Sequence, residues 1–415
     1  LENLIYYVYS DNRDFANNIY VMQFNDSGNP TWDSPIKIVE TLVDGFLPSD
    51  DNVIGAIPNV SSGGIIVLYN SGNFLGTKIN AISINSNGQI SDGWGDNGEN
   101  LCDSDGDQYI ESFISISDGI LVSFRDNRSN SNDVYVQLIS WSGNLLFNSS
   151  GINITDIEND QESSYMAINQ NDEVLICWED FRLGTEYDLY CKNIDISSGG
   201  NYQISEEIEL AGQSNTSGGN QTNPFVFSDS SSFLIVWEDS RNGVYTDIYF
   251  QEFNDNEIVL SNGGELLCDA DFDQLNPKIG RLSSDSYLIY WDDLRSSGKE
   301  FLNNIFAQSY SSSADNLSND LILVPNKYTI NNVYPNPFNP LVTIDFTVSE
   351  ISSVKLSVID LNGREISQLY EDELTIGDYS IDWAPDSYVS SGIYFVRLSI
   401  NNEEIISTKK ITLLK

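Results

Sequence analysis

The segment CDSDGDQYIE places Asp103, Asp105 and Asp107 at alternate positions, with Glu111 beyond them. Oxygen donors at such spacing suit Ca²⁺. Gly106 is misplaced for an EF-hand loop, and CDADFDQ at 268–274 keeps Asp269, Asp271 and Asp273 as an equivalent acidic stretch. A solvated acidic connector is therefore the competing reading. The second pattern with chemical content is aromatic-x-Asp-x-Arg, written in full as Trp178/Asp180/Arg182, Trp237/Asp239/Arg241 and Trp291/Asp293/Arg295. An Arg fork can grip a carboxylate, and several forks from different units could hold an acidic sugar. They could equally fork onto an adjacent carboxylate or carbonyl of the fold itself.

Repetition decides between these. The motif also occurs at Tyr9/Asp11/Arg13 and Phe124/Asp126/Arg128, with a degraded copy at Tyr69, at steps of roughly 54–60 residues. A catalytic site is built once, from unlike residues, and every Arg here sits at an equivalent turn position. The pattern reads as structure: the ring fills the wedge between units, Asp accepts from turn N–H groups, and Arg forks onto a neighbouring acceptor. A sialidase-type site or a two-carboxylate glycosidase is the rival, and no carboxylate pair is singled out among 62 acidic residues.

The chain has no His, which removes Ser-His-Asp and Cys-His catalysis and His-ligated zinc. Its formal net charge of −43 disfavours nucleic acid and anionic membranes as partners. No apolar run approaches the ~20 residues of a membrane-spanning helix. The chain begins LENLIYY, with neither Met nor a signal peptide, as expected of a mature or trimmed form. Cys177 and Cys191 flank one repeat and could face each other across a hairpin; the spacing leaves that disulfide open. Cys102 and Cys268 occupy equivalent positions in distant repeats and are expected to stay unpaired.

The elements that must carry these residues are short strands. After each Arg comes a turn and then NIY (18–20), DVY (133–135), DLY (188–190), DIY (247–249) or NIF (304–306). A Gln precedes the aromatic at Gln108, Gln161, Gln221 and Gln274. Alternating, β-rich segments punctuated by Gly, Asn, Ser and Asp imply about four strands per unit. The expected fold is all-β: a six-bladed β-propeller over residues 1–325, followed by a small Ig-like β-sandwich over 326–415. The first unit lacks its Gln-strand. Trimmed residues, LILV at 321–324, or a strand from another molecule could supply it, the last giving self-assembly. Trp32, Trp94 and Trp141 lie near turns and are candidate ligand platforms.

Beyond 325 the repeat stops at VPNKYTINNVYPNPFNP. Tyr334, Pro335, Asn336 and Pro337 open a segment that resembles the type A sorting domain of the type IX secretion system. The resemblance extends over about 80 residues and takes in Thr343–Phe346, Asp360, Gly363, Arg364, Gly377, Trp383, Gly392, Tyr394, Lys409 and Lys410; Tyr379 replaces the family's usual His. It implies export through the outer-membrane translocon and a secreted or surface-attached protein. The repeats are similar to the WxDxRxGxxDIYxQ units of large exported bacterial proteins, which implies the propeller fold and little about activity. The expected role is non-catalytic adhesion, with a glycan or surface-protein ligand and no cofactor, calcium being the one candidate. A surface-layer or filament subunit and a secreted glycan-active enzyme are the alternatives.

Overall fold

A computed structural model describes residues 4–12, 17–39, 42–43, 47–48, 50–73, 76–197, 200–211, 218–229, 232–254, 257–283, 286–295, 304–311, 328–348, 352–361, 363–374, 377–386, 389–400 and 404–414. Arg13 and residues 321–324 lie outside the described residues. Every regular element among those described is a strand. The chain divides into two compact units, 1–303 and 304–415, and Asn304–Ser311 falls in the second.

The fourth repeat shows how sequence sets a unit. Gln161–Ile168, Glu173–Asp180 and Asp188–Ser197 run as an antiparallel meander, with Asn201–Ile204 and Ile208–Ala211 on the outside. The second strand, EVLICWED, is buried along nearly its whole length. Val174, Ile176 and Trp178 pack with Leu121, Val134 and Val136 of the preceding repeat, whereas Leu175 and Cys177 pack with Val226, Ile235 and Trp237 of the next. Both faces are covered, which is why this strand is a continuous apolar run rather than an alternation. Trp178, Trp237 and Trp291 are almost fully buried. Each removes about 150–250 Å² from water, worth roughly 4–6 kcal/mol as an upper figure. The wedge is tight: Gly264 has φ +80°, and a Cβ there would come within 2.2 Å of the Trp237 ring.

The other repeats follow the same order, from Asp50–Asn59, Gln108–Ile116, Gln221–Ser228 and Gln274–Ser283 outward. Among the described residues the first repeat forms a three-stranded sheet of Ile5–Asp11, Asn18–Phe24 and Ile36–Val39, the first of these being its motif strand. Successive first strands pack against one another, Gln108–Ile116 on Gln161–Ile168, then Gln221–Ser228, then Gln274–Ser283.

The second unit contains two sheets around one core. Tyr328–Tyr334, Val342–Val348 and Gly377–Trp383 form one; Glu365–Leu374, Ser352–Ile359, Gly392–Ile400 and Glu404–Leu413 form the other. Phe338, Phe346, Leu356, Trp383, Val396 and Ile411 meet between them. Gly363 takes φ +77° in the Asp360–Arg364 turn, a conformation that suits glycine.

Cys177 and Cys191, directly opposed in the ladder, are disulfide-bonded. Cys102 and Cys268 are buried and free, and burial pushes both thiols up. Thiol titration in denaturant should therefore report two groups, and four after reduction. Reduction should cost roughly 2–3 kcal/mol in urea unfolding, as expected for a loop this short. Four free thiols without reductant would contradict the pairing.

Candidate functional site

In each complete motif the Asp carboxylate is the hub. Trp237 Nε1 donates to Asp239 Oδ2 at 2.9 Å, and the Arg241 backbone N–H donates to Oδ1 at 2.9 Å. Arg241 Nε donates to Oδ1 at 2.8 Å, and its Nη2 pairs with Oδ2. Trp178/Asp180/Arg182 and Trp291/Asp293/Arg295 repeat this pattern. The guanidinium then lies over the next strand's Tyr, 3.7 Å from the Tyr190 centroid and 4.2 Å from that of Tyr249. In the Phe124 copy there is no indole, and the Cys102 thiol stands 3.7 Å from Asp126 Oδ2 instead. In the three tryptophan copies the hub is filled from within its own repeat.

The acidic connector does not assemble. Asp103 accepts from Ser150 Oγ at 3.0 Å, and Asp107 accepts from the Thr77 N–H at 2.7 Å. Asp105 is exposed. Glu111 reaches the next repeat, accepting from the N–H groups of Ser163 and Ser164 at 2.8 and 2.7 Å. The loop carbonyls of Ser104 and Gly106 are taken by the Lys78 ammonium at 2.5 and 2.8 Å. A resident cation thus occupies the loop. Among the described residues no three Asp, Glu or Cys side chains are arranged to hold a metal ion.

Trp94 is buried and donates to the Trp141 carbonyl, so it offers no ligand face. Trp141 donates to the Ser117 carbonyl, and Trp32 packs edge-on to Tyr6.

Two sets of residues carry weight that the motif does not reveal. The first is an Asp or Asn preceding the Gln position. Asp50, Asp107, Asp160, Asn220 and Asp273 each accept the N–H of a turn in the preceding repeat, at Asn17, Thr77, Asn132, Tyr187 and Thr246. At four of these junctions the following residue donates back to the same turn's carbonyl. The recurring pair Asp/Asn-Gln was the available signal.

The second is the residue between the aromatic and the Asp. The first strands bulge just after the Gln, at Ser163, Asn223 and Asn276, each with positive φ. A bulge frees N–H groups that need acceptors. Glu179 takes the Asn223 N–H at 2.7 Å, and Glu238 takes the Asn276 N–H at 2.8 Å. In the third repeat the position is Arg125, which pairs with Glu162 at 3.0 Å; the Tyr187 hydroxyl donates to the same carboxylate at 3.1 Å. Glu111, Glu162 and Glu179 are thereby brought into one polar cluster. Burial, and then the negative charge of Glu162 and Glu111, push Glu179 up to about 7. Burial pushes Glu111 up as well. The cluster could hold or move a proton near neutral pH.

In the second unit Asn336 clamps the last strand. Its Nδ2 donates to the Lys410 carbonyl and its Oδ1 accepts from the Thr412 N–H, both at 2.9 Å. Phe338 is buried and bonded to Thr412 and Leu414. Lys409 reaches the Asn331 carbonyl, Gly392 opens its strand, and Tyr334 is exposed. Residues 332–413 match the secretion system C-terminal sorting domain. The protein is secreted or held at the cell surface, and the type IX secretion system recognises it through this segment. No helix among the described residues is long and apolar enough to cross a membrane.

No curated protein matches the chain. Solved structures that are similar include an α-L-arabinofuranosidase from Fusarium graminearum (11% identity, 72% of this chain and 91% of that one, TM-score 0.35). An α-L-arabinanase from Penicillium chrysogenum shows 12% identity over 67% and 84%, with a TM-score of 0.33. A protein of unknown function from Dyadobacter fermentans shows 10% over 90% and 85%, with 0.35. Likeness at these TM-scores fixes neither the number of repeats nor an activity.

Asp239→Ala removes the acceptor of a buried guanidinium and should cost roughly 3–5 kcal/mol in urea unfolding. Trp237→Phe, which loses one donor and part of the ring, should cost less, about 1–3 kcal/mol. A cost near zero for Asp239→Ala would refute the hub. Glu179 stays protonated to about 7 when folded and to about 4.3 when unfolded. The folded state holds more protons in that window, so stability falls as pH rises through it, by at most roughly 4 kcal/mol from this group. Glu179→Gln should flatten the dependence measured between about pH 5 and pH 8.

Proposed function

We propose that the chain is an exported, non-catalytic binding module. It comprises a six-bladed β-propeller over residues 1–325 and an Ig-like sorting domain over 326–415, and it acts at the cell surface or in the medium on a glycan or protein ligand. The observation that carries this reading is the closure of the motif: Arg182, Arg241 and Arg295 are each forked onto their own Asp. None of the three is free to grip a substrate carboxylate, so the sialidase-type alternative loses its clamp. The two-sheet core of the second unit supports the Ig-like assignment, and the recurring meander with packed first strands supports the propeller.

One observation favours a second reading. Glu179, pushed up to about 7 beside Glu162 and Arg125, has the protonation of a general acid. A glycan-active enzyme would use it so. The full chain, passed over a panel of immobilised polysaccharides, should be retained without releasing sugars, and chelation should leave retention unchanged. Sugar release that disappears in Glu179→Gln would establish the enzyme instead. Neither retention nor release would point to a protein partner.

A further inference from the structure

Lys278 departs from the repeat. Its ladder position, opposite the residue before the motif aromatic, is held elsewhere by Gly55, Ser112, Tyr165 and Phe225. It lies just past the bulge at Asn276, is partly buried, and faces Tyr290 across the ladder. Lys78 and Lys192 reach backbone carbonyls, and Arg125 and Arg281 reach carboxylates. Among the described residues Lys278 has neither kind of partner. Its contact is the face of Phe225, with Nζ 4.6 Å from the ring centroid. Glu238 acts on it electrostatically but has one oxygen engaged by Asn276 and Asn223. Glu238 thus balances the charge in part, and the N–H donors of a partly desolvated ammonium are left without a hydrogen-bond acceptor.

Its surroundings are aromatic. Tyr165 and Phe225 pack with centroids 4.7 Å apart, Tyr290 is 38% exposed, and Tyr165 and Tyr290 are within electrostatic range of each other. Tyr290, on the strand opposite the cation, offers an exposed stacking face, and Tyr165 and Phe225 back it.

We propose that Lys278, Tyr165, Phe225 and Tyr290 form a binding site for a saccharide bearing a carboxylate. The ammonium takes the carboxylate, and the exposed tyrosine face takes the sugar ring. This rests on the reading of the chain as a glycan-binding module and adds the acidic class of ligand. The strongly acidic surface repels polyanions at long range. Recognition is therefore local, and deleting this one cation should abolish the preference for acid over neutral sugar.

Titration calorimetry of the full chain with oligogalacturonate, its methyl ester and a neutral malto-oligosaccharide tests the proposal. The acid should bind at least about tenfold more tightly than the ester, the ~1.4 kcal/mol of one charge-assisted bond. Lys278→Gln should remove that preference at unchanged melting temperature. Lys278→Arg should keep most of it, and oligogalacturonate should slow acylation of Lys278 in the unmodified chain. Equal binding of acid and ester, or an unaffected Lys278→Gln, overturns the site. Binding of the neutral sugar alone overturns the site and leaves the glycan-binding module standing. Binding of none of the three overturns the site, and the polysaccharide panel then decides separately on the module.

Discussion

A buried carboxylate that must be fully occupied is the constraint on which the first unit turns. Asp180, Asp239 and Asp293 have no exposure at all. Ionised and unpaired, such a group would be severely destabilising. Its donors come from two residues before it and two after, so the turn can close in only one way. Closing it places the guanidinium over the following strand's Tyr and holds the indole in the wedge between sheets. Strand exit, turn shape and sheet-to-sheet packing are thus three results of one satisfied charge.

That economy leaves chemistry to the positions where the repeat is broken. Where Glu is replaced by Arg125, the guanidinium and a tyrosine hydroxyl both bind Glu162, and Glu179 stands within electrostatic range of Glu162 and Glu111. Where the first strand carries a lysine in place of Tyr165 or Phe225, a cation stands against an aromatic wall. Repeated residues answer to the fold, and deviant residues at the same ladder positions are the ones available to a ligand.

The parts legible in the sequence are local. The motif's partners lie within five residues, so its structural role could be inferred from spacing, as could the strand rhythm around it. The YPNPFNP segment and its following strands were equally plain, because that pattern is long and ordered. The contacts that were not legible cross between repeats. Glu111 looked like a calcium ligand by spacing, yet its partners sit at Ser163 and Ser164 in the next unit. Lys78 fills the acidic loop from an earlier strand, and nothing near residue 103 announces it. Trp94 looked like a surface platform because it neighbours a turn, but the turn folds inward onto Trp141.

The junction between repeats has a direction. At Asn132 and Asp160 the N–H and the carbonyl both belong to the earlier unit, and the carboxylate and N–H that complete them belong to the later one. The same polarity holds from Asn17 with Asp50 onward to Thr246 with Asp273. Each finished unit therefore presents half of a latch to whatever follows it. For a chain delivered amino end first, assembly would advance like a ratchet, each arriving segment seated by the unit already in place.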